Sequence, residues 1–74
     1  MQTKNELTPV QAETLAFIVG YITQHGYSPA FAEIAKAQGV NVNAISDRIV
    51  RMVKKGALTK ADGIPRSIRP VAQA

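Results

Sequence analysis

Residues 35–49 read Ala-Lys-Ala-Gln-Gly-Val-Asn-Val-Asn-Ala-Ile-Ser-Asp-Arg-Ile, and this order of small, flexible and branched side chains admits few folds. Ala35 is small where a crossing helix would approach closely. Gly39 allows the positive φ of a sharp reversal. Val40 is expected to plug that turn, and Asn41 to cap the helix that follows. Ile45 and Ile49, one helical turn apart, share a face and can anchor that helix on its predecessors. Together these features spell a helix-turn-helix.

The flanking sequence extends the pattern. Thr8-Pro9-Val10-Gln11 is a helix start, with a capping residue, a proline at the first helical position and a glutamine where a capping box needs it. Leu15, Ile18, Val19 and Ile22 then recur at helical spacing until Gly26, which predicts a helix over 9–24. Tyr27-Ser28-Pro29 is extended, because the residue before a proline is pushed out of the helical region. A short helix over 30–38 should turn Phe31, Ile34 and Ala35 inward. The third, 41–55, carries Ile45, Ile49, Met52 and Val53 as one stripe and stops at Gly56. Leu58-Thr59-Lys60 and Ser67-Ile68-Arg69 read as two brief strands around the turn Ala61-Asp62-Gly63-Ile64-Pro65, with Pro70 closing the second. The expected fold is therefore mainly α with a small β-hairpin: three helices plus a two-stranded wing. It is one domain over 1–74, with a core at 7–71 and frayed termini.

Composition narrows the function classes. A chain of 74 residues without cysteine has neither disulfides nor thiolate metal ligands, and a single histidine builds no zinc site. No apolar run approaches the ~20 residues that span a bilayer, and the start of the chain is polar, so a cytoplasmic location is expected. Ser28, Ser46 and Ser67 have no nucleophile context, and His25 reads as an exposed residue at a helix C-terminus. No glycine-rich phosphate loop and no carboxylate cluster stands out. An enzyme, a cofactor and a small-molecule substrate are not expected. Charge is unevenly placed: residues 48–69 hold seven cations (Arg48, Arg51, Lys54, Lys55, Lys60, Arg66, Arg69) against Asp62, whereas residues 1–47 hold Lys4 and Lys36 against four acids. This asymmetry is the footprint expected of a polyanion-binding face, or else of a solvated basic surface, and charge alone does not choose between them.

Over Leu7–Val71 the chain resembles the N-terminal DNA-binding domain of LexA-type repressors, through LTPVQAETLAFI, GYSPAFAEIA, NAISDRI, VKKGAL and PRSIRP. The resemblance implies a winged helix-turn-helix that binds double-stranded DNA sequence-specifically, as a small repressor-like transcription regulator. It places base-reading positions at Asn41, Asn43, Ala44, Ser46 and Asp47, and the Asn-Ala pair at 43–44 matches the family motif literally. The turn between Gly39 and Asn43 is one residue shorter than in the best-known member. Ser46 and Asp47 replace a pair of acids, and Ala30 stands where a Ser or Thr cap is usual. LexA-type repressors also carry a C-terminal self-cleaving and dimerising domain. This chain reads either as a standalone regulator or as an excised domain.

Helical geometry adds roles. At 100° per residue, Asn43, Asp47, Val50 and Lys54 project opposite Ile45 and Ile49, flanked by Ala44, Ser46 and Arg51. Asn43 suits adenine N6 and N7, and Ala44 or Val50 suits a thymine methyl. Asp47 accepts from cytosine N4 or pairs with Arg51 one turn on. Asn41 is a cap before it is a base reader. Arg48, Arg51, Lys54, Lys55, Lys60, Arg66 and Arg69 are cast as phosphate contacts, which set affinity and register without reading sequence. Ile64 and Pro65 read as a simple turn rather than a minor-groove insertion. Val19, Gly20 and Tyr21, with Val10 and Phe17, offer a second face for a homodimer or another protein, although Phe17 and Tyr21 read first as packing under the wing or the turn after Gly26. The alternative function is accordingly a winged-helix interaction module that docks a protein through helix one or the wing.

Overall fold

The computed structural model describes residues 7–71. Helix α1 (Pro9–His25) begins with the expected capping box: the Thr8 hydroxyl accepts from the Gln11 amide at 3.2 Å, and Gln11 Oε1 accepts from the Thr8 amide at 3.1 Å. Helix α2 (Phe31–Gln38) starts at Ala30, which has no capping oxygen. Glu33 supplies half a box instead, with Oε1 accepting from the Ala30 amide at 2.8 Å. Helix α3 (Val42–Lys54) is capped by Asn41, whose Oδ1 accepts from the Ala44 amide at 2.8 Å. Strands β1 (Leu58–Thr59) and β2 (Arg69–Pro70) pair antiparallel, Leu58 opposite Pro70 and Thr59 opposite Arg69. Three helices and a two-stranded wing make a winged helix-turn-helix.

The sharp turn between α2 and α3 is made by backbone. Gly39 sits at φ 72°, its amide bonds the Lys36 carbonyl at 3.4 Å, and the Val40 amide bonds that of Ala35 at 3.1 Å. The same paired closure recurs after α3, where Gly56 (φ 84°) donates to Val53 and Ala57 donates to Met52, both at 3.0 Å. Val40 does not plug the turn, because its side chain is exposed. Its contribution is the amide that completes the cap.

Ile18, Ile34, Ala35, Ile45, Ile49, Met52, Leu58 and Ile68 form the buried core, with Leu7, Leu15, Phe17, Ile22, Phe31, Val53 and Ala57 packed around it. One expected stripe position departs from this: Val19 is exposed. Both strands are shorter than the sequence predicts: β1 starts at Leu58 but stops at Thr59, and β2 is shifted to Arg69–Pro70, so Pro70 is a strand residue rather than the stop. The Ser67 hydroxyl explains this: it accepts from the Ala61 amide at 3.0 Å and donates to the Ala61 carbonyl at 3.1 Å, taking both groups that a longer ladder would have used. Pro70 brings no amide, and the Val71 amide bonds the Ala57 carbonyl at 2.9 Å. No helix among the described residues is long and apolar enough to cross a membrane.

Gly20 lies mid-helix and exposed, and a Cβ built there meets nothing within 4 Å. Gly20→Ala is therefore expected to stabilise the domain by about 0.5–1 kcal/mol through the unfolded chain's lost freedom. Thermal unfolding followed by helical circular dichroism should show the midpoint rising by about 3–6 °C.

Candidate nucleic-acid interface

Helix α3 buries one side and presents the other. Ile45, Ile49 and Met52 are fully buried, while Asn43, Asp47, Val50 and Lys54 are exposed on the opposite face. Ala44 and Ser46 are half-buried at its margins, and Asn41 is exposed at the cap. Asp47 is engaged: its Oδ2 accepts from Arg51 Nε at 2.9 Å, an exposed pair one turn apart. Both groups lie on the outer face of α3.

The seven cations of residues 48–69 divide into two sets. Arg51 and Lys54 are exposed on α3, and Lys55 Nζ donates to Gln11 Oε1 at 2.6 Å, at the margin of α1. On the wing, Lys60 pairs with Asp62 at 2.9 Å, and this cation holds the Asp62 carboxyl below its usual range. Arg69 Nη1 donates to the Ile68 carbonyl at 3.0 Å. Half-buried Arg48 and exposed Arg66 each bond groups on other elements of the fold. Arg48 Nη1 donates to Gln38 Oε1 at 2.9 Å and to the Thr14 hydroxyl at 3.3 Å, and Thr14 itself donates to Gln38 at 2.6 Å. This polar knot ties α1, α2 and α3 together. Sequence reasoning passed over Thr14 and Gln38. The signal was Thr14 one turn before Ile18, a polar side chain on the inward face that needs a partner once buried.

Arg66 makes the second knot. Nη1 and Nη2 donate to the two carboxylate oxygens of Glu33, each at 3.0 Å, and Nη1 also donates to the Ser28 carbonyl at 3.1 Å. Its guanidinium carbon lies 5.0 Å from the Tyr27 ring centroid. Tyr27 in turn meets Tyr21 and His25, whose rings are 4.2 Å apart. Arg66 and then the Ala30 amide hold the Glu33 carboxyl down at about 2 against an ordinary 4.5.

That depression has a pH signature. A carboxyl whose folded value lies below its unfolded one contributes its full stabilisation above the unfolded value and loses it as pH falls through the folded one. The window for Glu33 thus runs from about pH 4.5 down to about 2. Glu33→Gln should destabilise the domain at neutral pH, with the gap from the parent closing across that window. Thermal midpoints of both proteins along a pH series measure it, and a constant gap would contradict the assignment.

The second face expected on α1 is not continuous. Val10 and Val19 are both exposed but nine residues apart, so at 100° per residue they point to opposite sides. Gly20 is exposed and Tyr21 is half-buried in the aromatic group.

Residues 4–67 match the family described as the LexA DNA binding domain. The chain belongs to that family. Among its relatives, the LexA repressor of Pseudomonas chlororaphis is 42% identical over 65 residues, covering 86% of this chain and 32% of that protein. The LexA repressor of Oleidesulfovibrio alaskensis is 34% identical over 65 residues, covering 88% and 31%. That of Pseudomonas aeruginosa strain LESB58 is 40% identical over 65 residues. The chain thus spans about a third of the length of these curated relatives. The family match takes in the three helices and β1 and ends at Ser67, before β2.

Proposed function

We propose that this chain binds double-stranded DNA sequence-specifically as the reading domain of a transcription repressor, with α3 in the major groove and the hairpin on the backbone. The observation that carries this is the outer face of α3. A stable helix presents Asn43, Asp47, Val50 and Lys54 to solvent from a rigid base of buried isoleucines, at the end of the molecule where cations collect. Membership of a DNA-binding-domain family supports the same reading.

In this arrangement Asn43 reads adenine, Ala44 and Val50 meet thymine methyls, and Ser46 bonds whichever edge it faces. Asp47 accepts from cytosine N4 once Arg51 turns to a phosphate. Asn41 holds the helix start close to the bases. Arg51, Lys54, Lys55, Lys60 and Arg69 hold the phosphates. Five such contacts imply a log K against log salt slope of about −4 to −5. One domain making one set of contacts binds weakly, so a second copy on a twofold operator would raise affinity through effective concentration.

Selection from a random duplex pool at two salt concentrations tests the reading. A recovered motif of a few base pairs is expected, doubled with twofold symmetry if two copies bind. Sequence-blind retention that vanishes at moderate salt would reduce the domain to a non-specific binder. No retention at low salt, with a protein partner lost on Val19→Glu, would favour the interaction module instead.

A further inference from the structure

The hairpin is anchored at its base and nearly unattached at its tip. At the base, Leu58 and Ile68 are buried in the core and four residues pair. Beyond them, the contacts of residues 60–65 and 67 found among the described residues stay within the hairpin: Lys60 to Asp62, Ala61 to Ser67, and the Ile64 amide to the Ala61 carbonyl at 3.2 Å. Ile64 is 60% exposed, and a cavity of about 300 Å³ separates the tip from Ala30 and Phe31 at the start of α2. Apolar packing therefore does not fix the angle of the tip.

Arg66 crosses that gap. It is the non-glycine residue with positive φ (57°) among those described, a conformation that is uncommon for a branchless cation and needs compensation from its surroundings. The compensation is a set of partners on three different segments: the forked pair with Glu33 at the start of α2, the Ser28 carbonyl and Tyr27 ring in the connection, and the Tyr21 hydroxyl at 3.4 Å near the end of α1. A planar fork with five donors can meet all of these together, which a lysine cannot. Glu33 is seated in turn by the Ala30 amide, so the tip is referenced to the first turn of α2.

We infer that Arg66 is a positioning residue: latched to Glu33, it sets the angle at which the wing presents Lys60 and Arg69 to the DNA backbone, and it is not itself a phosphate contact. The inference rests on the DNA-binding reading above. The two roles predict opposite signs at Glu33. If Arg66 held a phosphate, removing the neighbouring carboxylate charge would release the cation, reduce repulsion and tighten binding. If Arg66 is a latch, the same change frees the wing and weakens binding.

Binding of a duplex carrying the selected motif is measured by fluorescence anisotropy across a salt series, for the parent, Glu33→Gln and Arg66→Lys. Circular dichroism at the assay temperature confirms that each is folded. The latch predicts roughly tenfold weaker binding for both variants and a salt slope smaller by about 1–2, because two wing cations lose their register while Arg51, Lys54 and Lys55 keep theirs. Amide exchange at Ile64 and Ser67 should accelerate in both. Glu33→Gln binding as tightly as the parent or tighter overturns the inference, and so does Arg66→Lys binding like the parent. Either result with the parent still bound leaves the DNA reading intact, whereas a parent that does not bind duplex removes both.

Discussion

Arg51→Glu combined with Lys54→Glu is expected to abolish specific duplex binding, lowering affinity by at least roughly a hundredfold at moderate salt. Two of about five phosphate contacts become repulsive. Asp47 also loses its partner one turn away, so three carboxylates then face the groove from a single helix. The fold should survive. The Asp47–Arg51 pair has side chains about two-thirds exposed, and an exposed pair at this spacing contributes only about 0.3–0.5 kcal/mol. Reversing Lys54 near a helix C-terminus adds an unfavourable macrodipole term of about 0.3–1 kcal/mol. Lost binding with a nearly unchanged melting curve is therefore the expected result. Unchanged low-salt binding in this double variant would sink the placement of α3 in the groove.

Ile45→Ala is expected to have the largest effect on stability, about 2–5 kcal/mol. Ile45 is fully buried and lies on α3, the helix that packs on α2 and on β1. Replacing it removes apolar volume from the core cluster that also holds Ile34, Ile49 and Met52. A chain this short has a total stability of roughly 4–11 kcal/mol at 0.05–0.15 kcal/mol per residue. One substitution thus removes a large part of it. Urea unfolding is the measurement, with Val53→Ala, at a half-buried site, as the smaller companion. Equal losses at the two positions would show that α3 does not face the core as described.

The helices were legible because their signals are local. Thr8, Gln11, Asn41, Gly26, Gly39 and Gly56 each act within a few residues, through caps and reversals whose geometry depends on little else. The stripe of Ile45, Ile49 and Met52 follows from the helical period alone. Strand limits were less legible. They turn on the Ser67 hydroxyl reaching Ala61 six residues away, which no propensity records. Val40 shows another limit, since a valine in a turn suggests burial whereas its amide is what the turn uses.

The site divides in the same way. Counting charges located the basic end of the molecule but treated seven cations alike. Which group a cation bonds within the protein depends on partners distant in sequence: Thr14 is 34 residues from Arg48, Gln11 is 44 from Lys55 and Glu33 is 33 from Arg66. The succession of caps, stripes and turns, and with them the outward face of α3, is set by neighbours along the chain and so could be read from residue order. The pairing of polar groups across elements follows from packing alone. Packing three helices and a hairpin together brings Gln38 to half-buried Arg48 and Glu33 to exposed Arg66, partners that no neighbour along the chain could indicate.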